Sequence, residues 1–151
     1  MEINYIGEEL FWGKAGNFLL IFAFTTSLLS VIAYLFGTYA KTDNEALSWK
    51  KLARSTFYLH SISVISAIVL IFYLIHSHRF EYYYVWQHSS MILPVKYMWA
   101  CFWEGQEGSF LLWTFWHIIL GAVLLRSSGK WEMPVMAIIM MVQVFLCSMV
   151  L

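Results

Sequence analysis

The sequence predicts an all-α integral membrane protein with four transmembrane helices and an aromatic-rich amphipathic segment on the outer face between helices 2 and 3. Of its 151 residues, 61% are hydrophobic and 12% are charged, whereas soluble domains carry roughly 25% charged residues. Four long stretches also contain no Asp, Glu, Lys or Arg. Nine basic and nine acidic residues cancel, so we expect a lipid bilayer as surroundings and no nucleic-acid partner.

The four uncharged stretches predict helices at about 15–40, 55–78, 106–125 and 133–151. About 20 mostly apolar residues cross a bilayer as a helix, because lipid offers no hydrogen-bond partner to an open backbone. The fourth stretch reaches Leu151 with no polar residue to close it. We therefore interpret residues 1–151 as a single transmembrane domain and expect it to be the N-terminal part of a longer multi-span protein.

Small and polar residues recur at helical spacing on one side of each of the first two helices. Ser30, Ala33 and Gly37 do so in the first helix. The second helix has a stripe of Thr56, His60, Ser63 and Ala67. Small side chains let helix backbones approach closely in a membrane, so both faces are predicted to lie at helix–helix contacts.

The distribution of basic residues predicts the orientation in the membrane. The first and third connections hold six basic residues, and the N-terminal tail and second connection hold three: Lys14, Arg79 and Lys96. Because Lys and Arg are enriched in cytoplasmic loops, the first and third connections are predicted to be cytoplasmic. The N-terminus and the 79–107 connection then face an outer, periplasm-like space.

The 79–107 connection is rich in aromatic residues, which favour the headgroup layer of a membrane. We expect this segment to lie on the membrane surface. Phe80 to Trp86 could form a short strand. Pro94 suits the first turn of a short helix that covers Val95 to Trp103.

Two acids, two glycines and a serine stand together where the third apolar stretch begins. Gly105 and Gly108 permit a turn or a close approach of the backbone. Ser109 is placed to cap the third helix, and Glu107 lies near its positive N-terminal end. One interpretation is a capped helix start with an aromatic belt. The other is a platform that holds a flat ligand or docks a partner at the outer membrane face.

The same residues carry a resemblance to a known family. The order Trp-Glu-Gly-Gln-Glu-Gly-Ser-Phe-Leu-Leu-Trp at residues 103–113 resembles the Trp-Gly-Gly-His-Glu-Gly-Ser-Leu-Leu-Leu-Trp signature of CcmF, the haem lyase subunit of cytochrome c maturation in the CcmF/CcsA/CcmC haem-handling family. The upstream Tyr84-Val85, His88-Ser89 and Leu93-Pro94 pairs fit as well. The chain departs at Glu104 and Gln106, and the family's Trp-Gly-x-Trp-Trp-x-Trp-Asp motif is absent.

The resemblance implies a membrane component of cytochrome c biogenesis that supports the attachment of haem to apocytochrome c. The implied surroundings are a bacterial inner (cytoplasmic) membrane with a periplasmic N-terminus, or an organellar inner membrane. Haem is the implied cofactor, bound mainly outside this chain, and the implied partners are apocytochrome c and other cytochrome c maturation membrane subunits. No catalytic residue is assigned here, since the family's haem-ligating histidines lie further along. The implied residues of the haem site or partner-docking motif are Trp103, Gly105, Gln106, Glu107, Gly108, Ser109, Trp113 and His88.

Two further histidines leave other functions open. His60 and His117 fall inside predicted helices at a similar membrane depth, and such a pair could ligate one haem in a b-type electron-transfer subunit. The simpler interpretation is that each is a neutral imidazole hydrogen-bonded within the bundle. A third hypothesis is a membrane subunit that only packs against its partners.

Overall fold

The computed structural model describes residues 9–151 and contains six α-helices within them. In chain order these are α1 (Phe11–Thr38), α2 (Asp43–His76), α3 (Tyr83–His88), α4 (Val95–Glu104), α5 (Gln106–Ser127) and α6 (Glu132–Ser148), with a 3₁₀ turn at Gly129–Trp131 before α6. The helices α1, α2, α5 and α6 are long and apolar enough to cross a membrane. The predicted all-α fold with four membrane helices is therefore confirmed.

The second helix begins twelve residues before its predicted start at 55, and this additional part carries charged residues. The Thr42 side chain accepts a hydrogen bond from the Glu45 backbone N–H at 3.3 Å and so caps the helix. Asp43 and Glu45 add negative charge in the first turn, where the helix dipole favours it. The uncharged stretch locates the membrane crossing, and the helix continues beyond it.

The small-residue face of α1 packs against α2, as its spacing predicts. Ser30, Ala33 and Gly37 are all buried. The Ser30 hydroxyl donates a hydrogen bond to the Ala53 carbonyl of α2 at 3.2 Å. At Gly37 the side chains of Met133 and Trp49 come close enough that a Cβ would collide with them.

The polar stripe of α2 is buried too, and it is hydrogen-bonded to α1. The Ser63 hydroxyl donates to the Leu19 carbonyl at 2.7 Å. The His60 Nδ1–H donates to the Ala23 carbonyl at 2.9 Å. Each bond joins a polar side chain of α2 to a backbone oxygen of α1, so neither group is left facing lipid.

A buried carboxylate joins α2 to the start of α6 at the end of the bundle that holds the first and third connections. Glu132 is only 3% exposed. Its two oxygens accept hydrogen bonds from Arg54 at 2.6 and 2.7 Å, and Lys50 Nζ lies 2.7 Å from Oε2. Since the two cations are part-exposed, they shield the carboxylate from the membrane while remaining near water.

The outer segment between α2 and α5 is helical, and the strand predicted at Phe80 to Trp86 is wrong. Tyr83–His88 forms the short helix α3, and no strand occurs in residues 9–151. A single strand in this segment would leave its backbone N–H and C=O groups without hydrogen-bond partners. A helical turn pairs those groups with one another. The predicted helix after Pro94 is observed as Val95–Glu104, with Pro94 as its N-cap residue.

The segment rests on the bundle through an apolar cluster. Val85 of α3, Phe102 of α4 and Leu111 of α5 are at most 2% exposed and pack together with the outer end of α2. Burying a side chain of this size contributes about 1.5–3 kcal/mol. The cluster therefore holds α3 and α4 against the membrane helices and fixes the start of α5.

Replacing Glu132 by Ala removes the shared acceptor of Arg54 and Lys50 and leaves two cations without a buried partner. We expect a loss of about 1–3 kcal/mol in the free energy of unfolding, less than for a fully buried pair because both cations are part-exposed. The measurement is the melting temperature of the purified protein in detergent. Lys51→Ala, an exposed charged residue near the same end of α2 with no ion pair among the described residues, is the control. Equal melting temperatures for the two variants would contradict a stabilising role for the cluster.

Candidate functional site

A single residue joins α4 to α5 at the centre of the motif. Gly105 follows the last residue of α4 and precedes the first residue of α5, in an extended conformation with φ −84° and ψ 163°. Gly105, not Ser109, is the N-cap of α5, so the predicted capping role of Ser109 is wrong. The Ser109 hydroxyl instead donates to the Trp103 carbonyl at 2.9 Å and ties the first turn of α5 back to the last turn of α4.

Gly108 is required because the two helices touch there. A Cβ at this position would overlap the Phe102 carbonyl oxygen of α4 and would also crowd the Tyr84 hydroxyl of α3. Only glycine permits this approach. The buried position of Gly108 is therefore a contact point for three helices.

The Phe102 carbonyl at this contact accepts a hydrogen bond from the Tyr84 hydroxyl at 2.6 Å. The last four carbonyls of a helix lack partners within the helix. In α4, Tyr84 satisfies the carbonyl of Phe102 and Ser109 satisfies that of Trp103. Side chains from α3 and α5 thus terminate α4 and fix the angle of the turn.

The Tyr84 hydroxyl is protonated at physiological pH, as this bond requires, and burial moves its pKa further from that range. Its pKa is raised to about 12, chiefly because the hydroxyl is removed from water, and the nearby Glu107 carboxylate adds to the effect. Tyr84 is therefore a hydrogen-bond donor at any physiological pH.

His88 lies against the turn at Gly105, one helical turn after Tyr84 in α3. Its Nε2 and the Tyr84 ring lie 2.8 and 2.7 Å from the place that a Cβ on Gly105 would occupy. The two rings are tilted with centroids 4.7 Å apart. The structure thus brings together His88, Gly105 and Gly108, which the motif places in one site, and adds Tyr84.

Two open cavities flank this junction, and His88 lines both. One, of about 400 Å³, is lined by Cys101, Glu104 and Tyr97 as well as the polar residues that follow α3. The other, of about 230 Å³, lies between Tyr84, Glu107 and the apolar side chains of Leu20, Leu111 and Val150. An imidazole and carboxylates beside apolar walls suit a ligand that is partly flat and apolar and partly polar.

The remaining motif residues face outward. Gln106 and Glu107 are exposed, with Glu107 in the first turn of α5 as its position predicts. Trp103 is 47% exposed and Trp113 is 56% exposed. These side chains form a rim around the junction and are available to a ligand, a partner or the headgroup layer.

The intramembrane histidines occupy different environments. His60 is fully buried, and its Nε2 has no hydrogen-bond partner among the described residues. His117 is half-buried, and its Nδ1–H donates to the Trp113 carbonyl of its own helix at 2.9 Å. In both histidines the Nδ1–H donates to a backbone carbonyl. Each Nε2 atom is therefore the acceptor of a neutral imidazole.

Tyr84 belongs to the Tyr84-Val85 pair of the resemblance, but the sequence analysis does not assign it to the site. Its bond to Phe102 spans 18 residues and depends on how α3 and α4 pack. The available signal is its i, i+4 spacing from His88, which places both rings on one face of a helix.

Comparison with known proteins gives a structural match but no sequence match. No protein-family model matches the sequence, and no curated protein matches it. The fold is similar to a solved structure named Cytochrome c Heme Lyase CcmF, with a TM-score of 0.81 and 21% sequence identity. The match covers 98% of this chain and 25% of that chain. The chain therefore has the fold of about a quarter of this haem lyase, which confirms at the level of the fold the resemblance that the motif at residues 103–113 predicts.

Proposed function

We propose that this chain is a membrane component of a cytochrome c haem lyase and that its outer junction supports the delivery of haem to apocytochrome c. The observation that carries the proposal is the fold likeness to CcmF over 98% of the chain. The junction agrees with it, because His88, Gly105 and Gly108 meet there. His88 and Glu107, which the resemblance places in the site, line cavities with mixed polar and apolar walls.

In this proposal the chain helps to orient haem, which is bound mainly by residues outside it, and does not supply the bond-forming groups. Tyr84, Gly105 and Gly108 fix the shape of the junction. His88 lies at the cavity walls and could orient haem or a partner. The exposed Trp103 and Trp113 offer flat apolar surfaces to a porphyrin or to another subunit. Thioether formation between haem and the thiols of apocytochrome c would use residues outside this chain.

The proposed location is an inner membrane with the junction on the side away from the cytoplasm. The basic residues support this, since six of the nine lie at the opposite end of the bundle. Haem lyase partners in the same membrane would complete the site.

Replacing Gly108 by Ala should prevent the contact between α4 and α5. Overpacking of this kind costs about 1–3 kcal/mol. Since 1.4 kcal/mol is a tenfold change in an equilibrium constant, this cost disfavours the native turn by about 5- to 140-fold, and we expect assembly of c-type cytochromes to fall several-fold or more. The measurement is haem staining of covalently bound cytochromes in cells that depend on this gene.

The matched control is Gly16→Ala, where the added Cβ would meet only the end of the Leu70 side chain, at 3.3 Å. Both variants must be present in the membrane at wild-type levels. Normal cytochrome assembly in Gly108→Ala cells would remove the support for a role of the junction.

The orientation is tested by cysteine labelling in intact cells. Gln106→Cys at the junction should react with a membrane-impermeant maleimide, and Asn44→Cys in the first connection should react only after the cells are opened. Both positions are exposed, and the native Cys101 and Cys147 are buried. If only Asn44→Cys is labelled in intact cells, the orientation is the opposite of the proposed one and the junction lies in the cytoplasm.

The electron-transfer alternative retains one observation in its favour. His60 and His117 both direct Nδ1–H at a backbone carbonyl, as histidines that ligate a metal through Nε2 commonly do. A bis-histidine Soret spectrum in the purified protein that is lost in both His60→Ala and His117→Ala would favour a b-type electron carrier. Under the haem-lyase proposal, neither substitution changes the spectrum.

A further inference from the structure

We infer that one face of α5 docks a further membrane-spanning helix of the haem lyase, and that this helix donates a hydrogen bond to His117. The face, called here the α5 stripe, consists of Trp113, Trp116, His117 and Leu120, which lie at helical i, i+3, i+4 and i+7 spacing. The inference rests on the proposed function, because it takes its occupant from the part of the haem lyase that this fold does not cover.

The α5 stripe lies at the middle of the membrane. His117 is eleven residues past Gln106, the first residue of α5, which corresponds to about 16 Å along a helix. The hydrocarbon layer is about 30 Å thick. Hydrocarbon can neither donate nor accept a hydrogen bond, so a polar group at this depth needs a partner from protein.

Three polar groups of the stripe lack such a partner among residues 9–151: the His117 Nε2 and the indole N–H groups of Trp113 and Trp116. The Nδ1–H of His117 is used by the Trp113 carbonyl, which leaves Nε2 as a bare acceptor on a half-buried side chain. Trp116 is 59% exposed, and its indole N–H makes no hydrogen bond within the described part of the chain. One helix face thus presents an acceptor and two donors to the surrounding membrane.

The exposed faces of α1 and α6 do not share this property. The exposed side chains in the central part of α1 and α6 are aliphatic, Met, Phe or a threonine that bonds its own helix, as Thr25 does to the Ile21 carbonyl at 2.8 Å. Such surfaces expose no polar group that needs a hydrogen-bond partner, so they can face lipid. The α5 helix is also the least covered of the four spans, with 28% of its apolar window buried against 33%, 39% and 39% for the others.

The matched protein is long enough to supply the helix that covers the α5 stripe. The fold covers 25% of the CcmF chain to which it is similar, so that chain is about four times as long as the matched part. A span from the remaining three-quarters, or its equivalent in a separate subunit, would cover the stripe. Its side chain at mid-membrane must donate to His117 Nε2, as a hydroxyl, amide or indole N–H can. An interhelical bond of this kind adds to the van der Waals contact of Trp113, Trp116 and Leu120.

The test is photocrosslinking in intact membranes. The residue at position 116 is replaced by the photoreactive amino acid p-benzoylphenylalanine, and so, in a separate variant, is Phe145 on α6, an aromatic position that is 61% exposed. After irradiation, mass spectrometry of the digested protein identifies the attached peptide or lipid. We expect position 116 to attach to a membrane-spanning peptide similar to the uncovered part of CcmF, and position 145 to attach to lipid.

Two substitutions at His117 examine the hydrogen bond. His117→Leu removes the acceptor, and His117→Gln retains an oxygen near the position of Nε2. We expect the yield of the peptide adduct at position 116 to fall several-fold in His117→Leu and to remain near the unsubstituted yield in His117→Gln. Equal adduct yields in His117→Leu and His117→Gln would overturn the inferred hydrogen bond to His117.

Adducts to lipid alone at position 116, or to a second copy of this chain, would overturn the docking surface. The readout does not depend on haem attachment. If Gly108→Ala cells assemble c-type cytochromes normally while the expected adduct forms, the proposed role of the junction is wrong, and the docking of a helix on the α5 stripe is still supported. If the adduct is absent while Gly108→Ala abolishes assembly, the α5 stripe fails and the junction remains.

Discussion

The structure depends on one constraint, which is that a polar group inside the membrane must find its partner within protein. Most Thr and Ser hydroxyls of the spans donate to carbonyls of their own helix or of a neighbour, as Ser30 does to Ala53 and Ser63 to Leu19. The Tyr34 hydroxyl and His60 Nε2, by contrast, have no partner among the described residues. The buried Gln143 of α6 donates to the Thr114 carbonyl of α5 at 3.1 Å. Interhelical bonds of this type contribute about 0.6–2 kcal/mol each in membranes. They join α1 to α2 and α5 to α6, and so set which faces of the helices meet.

Features with a local cause could be predicted from the sequence. The four spans follow from runs of uncharged residues, and the buried faces containing Ser30, Ala33 and Gly37 follow from helical periodicity. The glycine turn follows from the residue types at 105 and 108, and the fold likeness to CcmF agrees with the resemblance read from residues 103–113.

Features that depend on pairing between distant residues could not be predicted. Glu132 meets Arg54 across 78 residues, and nothing near either residue indicates the other. The hydrogen bond from Tyr84 to Phe102 exists only once α3 has folded as a helix, whereas the aromatic and β-branched content at Phe80 to Trp86 suggested a strand. Local propensity failed there because the apolar cluster beneath α3, not the residue types, decides its conformation.

The first turn of α5 forms part of the junction, and the α5 stripe lies further along the same helix. The first turn of α5 is held by the Ser109 bond to Trp103 and by the contact of Gly108 with Phe102. The stripe begins one turn further along, at Trp113. A rigid helix transmits position along its axis, so a span packed against the stripe would also set where the junction stands in the membrane. The placement of any ligand at His88 would then depend on that span, although the span need not touch the ligand.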